Sequence, residues 1–183
     1  MYFLTCRKNK VILGWSAKSG CSHIKRIFRY LAYNQNISDH NAIHSATYNH
    51  LPGDISEYTI ILVVRNPYTR LVSGFREKYN PDPNSSGTCY KMWNIDKTLT
   101  FSNFIDEIVK KNWTVIHEHH FVPHISEAYQ KRIESHDKLF VYDLANINYE
   151  QFETLFKKKI PQLAAITNIK TTMKIVTTKR LFF

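Results

Sequence analysis

A chain of 183 residues is long enough to bury a core, and its length predicts a single domain over residues 1–183. Its 43% hydrophobic and 22% charged residues are ordinary for a globular protein and argue against a disordered or fibrous chain, while three cysteines are too few for a disulfide framework. The formal net charge of +10 suits nucleic acid, an anionic membrane surface or an acidic small ligand.

The N-terminal segment 1–10 is basic and has no apolar stretch long enough for a signal peptide. No later run approaches the roughly 18 apolar residues of a membrane span. We therefore expect a soluble, cytoplasmic chain, or a location in the Golgi lumen if this chain is a fragment of a longer anchored one.

The first motif follows the apolar run 11–13, which predicts a buried strand. Small residues at 16–20 end the strand, and Ser22 can cap a following helix. The free amides and positive dipole end of such a helix suit a phosphate or sulfate, and Lys18 adds a full charge. A turn between strand and helix that binds nothing is the alternative.

This motif differs from the nucleotide-binding P-loop, Gly-x4-Gly-Lys-Ser/Thr. Gly14 and Gly20 are one residue too far apart, and Cys21 stands where the P-loop lysine would be. The loop therefore has the P-loop's shape but carries its cation, Lys18, before the glycine.

The second motif begins with the unbroken apolar run 58–64, which predicts a strand covered on both faces. Asn66 can cap the next helix and Pro67 can occupy its first position. The strand ends in Arg65 rather than in the carboxylate of a magnesium-dependent NTPase, and Ser73 follows about two turns into the helix. The pattern predicts that guanidinium and hydroxyl groups neutralise phosphate here, without a metal.

Together, Lys18-Ser-Gly-Cys-Ser22 and Val64-Arg-Asn-Pro-Tyr-Thr-Arg-Leu-Val-Ser-Gly-Phe-Arg-Glu-Lys-Tyr79 resemble the sulfotransferases, most closely the carbohydrate branch. The resemblance implies that the first motif grips the 5′-phosphosulfate of 3′-phosphoadenosine 5′-phosphosulfate (PAPS) and the second its 3′-phosphate. Carried over by position, the groups facing the phosphosulfate would be Lys18, Ser19, Gly20, Cys21 and Ser22. Those facing the 3′-phosphate would be Arg65 and Ser73.

Two histidines are candidates for acid–base work. His50-Leu-Pro resembles the segment that carries the catalytic base in the cytosolic sulfotransferase branch, and His120-Phe-Val-Pro123 resembles a His-aromatic-x-Pro element of the carbohydrate branch. The catalytic candidates are therefore His50, Lys18 and His120, with the choice of base between the two histidines left open. Plain surface histidines are the alternative, and no recognised zinc spacing fits the histidine cluster at 117–124.

The rest of the chain carries weaker signals. A long loop is expected over 80–98, a helix after Thr100 or Ser102, a strand at 138–142 and a helix from about 149 to 158. The end, from 160 onward, shows no match to the family and contains Lys179 and Arg180. We expect a single sulfotransferase domain whose end is either shortened, rearranged, or completed by Lys179 and Arg180.

The expected fold class is α/β: a three-layer, P-loop-like fold with a central, mostly parallel sheet flanked by helices, and strands near 10–15, 58–64 and 138–142. The resemblance implies sulfuryl transfer from PAPS to a hydroxyl acceptor, a carbohydrate, with no metal and no nucleic acid. Two alternatives stay open. One is a P-loop kinase or NTPase, and the other is an inactive basic module that binds glycans.

Overall fold

The computed structural model describes residues 1–45, 50–78, 100–110, 120–121 and 123–161. The chain divides into two units, the first made of Met1–Val64 with His124–Phe183 and the second of Arg65–Pro123. The predicted loop at 80–98 lies outside the described residues, as do Lys179 and Arg180.

A four-stranded sheet forms the centre of the first unit. Its strands are β1 (Tyr2–Cys6), β2 (Val11–Trp15), β3 (Thr59–Val64) and β4 (Leu139–Asp143), and they lie side by side in this order. β1 is antiparallel to β2, whereas β2 with β3 and β3 with β4 are parallel. β2 and β3 read as almost continuous apolar runs because both are buried along nearly their whole length.

The described helices are α1 (Cys21–Tyr33), α2 (His40–Ser45), α3 (Pro67–Lys78), α4 (Phe101–Lys110), α5 (Glu127–Ile133) and α6 (Tyr149–Phe156). A short 3₁₀ turn, Leu144–Asn146, follows β4. Of the helices, α3 and α4 belong to the second unit and the others to the first.

Apolar side chains cover both faces of the sheet, because alternate residues of a strand point to opposite faces. The first face packs against α1 and α6, and its buried cluster contains Leu4, Val11, Leu13, Trp15, Ile24, Ile27, Phe28, Ile61, Val63, Phe152 and Phe156. The second face packs against α5 and the segment 51–55, and its buried cluster contains Phe3, Ile12, Leu51, Ile55, Ile60, Leu62, Ile125 and Ile133. The first unit therefore has three layers.

A charged side chain is buried between these layers. Lys25 of α1 is fully buried, and its Nζ donates a hydrogen bond of 2.8 Å to the carbonyl of Ile43, near the end of α2. Burial is the main cause that lowers the pKa of Lys25 below its usual value. The ammonium also lies 5.8 Å from the ring centroid of Trp15, so α1, α2 and β2 are joined at this point.

The second unit contains α3 and α4. The Asn66 side chain accepts hydrogen bonds from the amides of Tyr68 and Thr69 at 3.0 and 3.3 Å, which confirms the predicted cap and leaves Pro67 as the first helical residue. A Cβ built on Gly74 would lie 2.7 Å from the ring of Phe121, so α3 needs a residue without a side chain there.

The predicted fold class, a P-loop-like α/β fold, is confirmed: a central, mostly parallel sheet is flanked by helices. Two local predictions differ from the structure. Strand β1 was not predicted, and Ser22 does not cap α1, because left-handed Gly20 is the N-cap residue and Ser22 already lies in the first helical turn.

Candidate anion site at the carboxyl end of the sheet

The candidate site is built where the parallel strands end. The Cα partners Trp15 with Val63 and Val63 with Tyr142 bring the carboxyl ends of β2, β3 and β4 to one edge of the sheet. The loop 16–20 and the 3₁₀ turn after β4 leave the sheet from this edge. Open α/β sheets bind ligands at this edge, so the first motif lies where a ligand is expected.

The loop backbone has two residues in the left-handed region. Lys18 has φ +65° and Gly20 has φ +69°, and the Ser19 amide donates to the carbonyl of Ser16 at 3.2 Å. A Cβ on Gly20 would lie only 2.4 Å from Cδ1 of Leu144, in the turn after β4. Gly20 is therefore required both by its backbone conformation and by its neighbour.

Helix α1 starts directly after this loop, with no side-chain cap and no acidic residue in its first turn. The first amides of a helix have no carbonyl partner within the helix, and its N-terminus carries a partial positive charge. Lys18 is partly exposed beside it, as is the free thiol of Cys21. This end of α1 suits an anion better than a cation.

Two serine hydroxyl groups and one imidazole form a cluster at the base of the loop. The Oγ atoms of Ser16 and Ser19 are 2.9 Å apart, and both residues are buried. Nδ1 of His124 lies 2.5 Å from Oγ of Ser16. The predicted ligand-facing hydroxyl of Ser19 is therefore hydrogen-bonded to Ser16.

Two further histidines lie at the start of α1, one that contacts it and one that belongs to it. Nε2 of His44, in α2, lies 2.7 Å from Oγ of Ser22. Nε2 of His23 lies 2.9 Å from the hydroxyl of Tyr149, the first residue of α6. Burial, and secondarily the charge of Arg26, lowers the pKa of His23.

The two histidines that the sequence predicts as catalytic, His50 and His120, are not members of the cluster at the base of the loop. His50 is exposed, with Nδ1 3.4 Å from the hydroxyl of Tyr129 in α5. His120 belongs to the second unit, where Nε2 lies 3.8 Å from a carboxylate oxygen of Glu77. Their assignment as catalytic residues stays a prediction.

The predicted 3′-phosphate ligands belong to the second unit. Arg65 follows the last residue of β3, and Ser73 lies in α3; both are partly exposed. Arg70 of the same helix is only 5% exposed, so its guanidinium is held inside the protein. The shared role of Arg65 and Ser73 also stays a prediction.

Sequence reasoning missed His44 and His124 as neighbours of the loop. The sequence gives one indication of such neighbours, the two serines of the loop. Ser16 and Ser19 need hydrogen-bond partners once they are buried. Which partners they find is decided by the fold, since His124 is 108 positions from Ser16.

The described part of the chain contains no group of three or more His, Cys, Asp or Glu side chains that could hold a metal ion. Its helices are all too short or too polar to cross a membrane.

Comparison with protein families shows which family this chain resembles. The profile described as the sulfotransferase family matches residues 1–179, nearly the whole chain. The match includes residues 160–179, a segment in which no family motif was recognised from the sequence. No curated protein and no solved structure matches the chain.

Proposed function

Since the chain belongs to the sulfotransferase family, we propose that it transfers a sulfuryl group from PAPS to a hydroxyl group of an acceptor, a carbohydrate. The observation that carries this proposal is the loop 16–20. It ends in left-handed Gly20 and leads into a helix whose first turn contains no acidic residue. The carbohydrate acceptor rests on the second motif, which resembles the carbohydrate branch.

The residues of the loop fit the phosphosulfate end of the donor. The first-turn amides of α1, which include those of Cys21 and Ser22, are donors for anionic oxygens, and Lys18 adds a positive charge. Gly20 lets the backbone turn into the helix without a Cβ that would strike Leu144. When bound, PAPS supplies an activated sulfuryl group on a phosphate leaving group.

The charged residues have distinct roles in this proposal. Lys18 neutralises the negative charge that grows on the leaving phosphate. Arg65 presents a planar guanidinium to the 3′-phosphate, and Ser73 donates a hydroxyl hydrogen bond to it. No carboxylate or metal is needed for either task.

A base must remove the proton of the attacking acceptor hydroxyl. We assign this step to His50, which is exposed and so open to an acceptor. His120 is the second candidate and is assigned to the acceptor pocket. A base within reach of the hydroxyl contributes about 10²- to 10⁴-fold to the rate.

The test is the transfer of radioactive sulfur from ³⁵S-labelled PAPS to a panel of carbohydrate acceptors. Wild-type protein should label at least one acceptor. His50→Ala should abolish labelling and keep its affinity for 3′-phosphoadenosine 5′-phosphate (PAP), since the base contacts the acceptor and not the nucleotide. His120→Ala should mainly raise the acceptor KM, the sign of lost uniform binding.

Two outcomes would count against these assignments. The reverse pattern in the two variants would move the base from His50 to His120. Absence of labelling across the panel, with no hydrolysis of PAPS either, would contradict the proposed activity.

A further inference from the structure

Ser16 and His124 have no role in the proposed reaction, and both belong to a hydrogen-bonded cluster with Ser19 of the loop. Ser16 is 3% exposed and Ser19 is fully buried, so their hydroxyl groups cannot be satisfied by bulk water. The two serines are joined twice, by their Oγ atoms at 2.9 Å and by the bond from the Ser19 amide to the Ser16 carbonyl at 3.2 Å. These bonds set the curvature of the loop just before Gly20.

The imidazole of His124 determines how this pair of hydroxyls is oriented. Ser16 has one hydroxyl hydrogen and two lone pairs, so it can donate to only one of its two neighbours. If Nδ1 of His124 carries no proton, Ser16 donates to it and accepts from Ser19. If Nδ1 carries a proton, Ser16 accepts from it and its own hydrogen is left for Ser19. The tautomer of His124 therefore limits which hydrogen bond joins the two serines.

His124 is also well placed to hold the loop still. It directly precedes Ile125, a member of the buried cluster on the second face of the sheet. Its backbone is therefore fixed by the core, while its side chain reaches Ser16 at the end of β2. A group whose own position is set by packing can keep a binding loop in its productive shape.

We propose that His124 is a positioning residue for the anion-binding loop and acts through the hydroxyl of Ser16. The nature of the anion, PAPS or PAP, rests on the proposed function. The hydrogen-bond chain itself does not, because it lies within the first unit and involves no ligand.

The binding test compares two substitutions at one position. His124→Leu removes the polar atoms at similar volume and should weaken PAP about 3- to 10-fold, the range expected for one hydrogen bond. His124→Asn offers either an N–H or a carbonyl oxygen near the place of Nδ1, so its Kd should stay within about twofold of wild type. A residue that only fills space would show the opposite preference.

A double-mutant cycle tests whether His124 acts through Ser16. Ser16→Ala should weaken PAP by a similar factor, and the double variant with His124→Leu should be no weaker than either single variant. Multiplication of the two factors would show that the residues act independently and would overturn the proposal. Retention of wild-type affinity by His124→Leu would overturn it as well.

The matched control is His136, a histidine of the same unit whose Nε2 lies 2.8 Å from the carbonyl of Ile55. His136→Leu also removes a hydrogen-bonded imidazole, and it should leave the Kd for PAP unchanged. An equal loss in this variant would mean that any destabilisation weakens binding, and the special role of His124 would be rejected.

A ligand-free measurement separates this inference from the proposed function. Hydrogen exchange followed by NMR should show the Ser19 amide exchanging about 10-fold faster in His124→Leu and at the wild-type rate in His124→Asn. If wild-type protein does not bind PAP but the exchange rates follow this pattern, the proposed function fails and the role of His124 stands. Unchanged exchange in His124→Leu refutes that role, whatever PAP does.

Discussion

A Cβ atom on Gly20 would lie 2.4 Å from Cδ1 of Leu144, which joins the loop after β2 to the turn after β4. Gly20 also has φ +69°, a conformation that costs other residues about 1–2 kcal/mol. Both constraints act on the residue that directly precedes α1. They explain why the N-cap is a glycine and not a serine or an aspartate.

Gly20→Ala should therefore lower the free energy of unfolding by about 1–3 kcal/mol and weaken PAP binding. Gly53→Ala is the matched control, since nothing lies within 4 Å of a Cβ at Gly53 and its φ is not left-handed. The control should change stability by less than about 1 kcal/mol. Urea denaturation measures the free energy of unfolding of both variants. Equal losses of stability in Gly20→Ala and Gly53→Ala would show that Gly20 is not constrained.

Lys18 is expected to lower the stability of the fold through its backbone conformation and to raise the rate of the reaction through its charge. Its φ of +65° is unfavourable for any residue with a Cβ, so Lys18→Gly should be more stable than Lys18→Ala by about 1 kcal/mol. Both variants lack the cation and should lose about 10²- to 10³-fold in kcat with the best acceptor found by the transfer assay. Unchanged turnover in either variant would contradict the role of Lys18.

Arg65 should discriminate between two nucleotides. A charge-assisted hydrogen bond is worth about 1.5–3 kcal/mol, so Arg65→Ala should weaken PAP by roughly 10- to 150-fold. Adenosine 5′-phosphosulfate has no 3′-phosphate, so Arg65→Ala should reduce its affinity far less. Arg65→Lys should restore only part of the affinity for PAP, because an ammonium group cannot present two parallel hydrogen bonds to the phosphate. Equal losses for both nucleotides would mean that Arg65 supports the end of β3 and does not bind the 3′-phosphate.

Burial of His23 predicts a pH-dependent stability. The folded-state pKa is lowered below the usual 6.5, so the unfolded chain binds more protons between the two pKa values. The contribution of His23 is thus fully present above pH 6.5 and is lost as the pH falls below it. From about pH 7 to about pH 5, wild-type protein should lose more unfolding free energy than His23→Gln. Parallel curves for the two proteins would show that His23 is not responsible.

The sequence predicts the parts of the fold that depend on local pattern. The apolar runs of β2 and β3 and the Asn66-Pro67 helix start are found where they were predicted. β1 was missed because it lies in the basic N-terminal segment 1–10, where Thr5 interrupts a short apolar run that leads directly into a basic turn. Short edge strands carry little periodicity.

The long-range contacts of the loop 16–20 cannot be predicted from local sequence pattern. The need for small residues near Gly20 is visible in the sequence, but the contact with Leu144 depends on the pairing of β3 with β4. In the same way, the hydrogen bond between Ser16 and His124 joins positions 108 apart. Neither contact repeats with the period of a helix or a strand, so only the folded chain shows it.

The central claim, that this chain binds a PAPS-type nucleotide, is tested most directly by calorimetric titration of wild-type protein with PAP, ATP with magnesium, and heparin. We predict saturable binding of PAP, at least about 10-fold tighter than that of ATP with magnesium. Tighter binding of ATP with magnesium would indicate a kinase or NTPase, and binding of heparin alone would indicate a basic glycan-binding module. Either result would contradict the account.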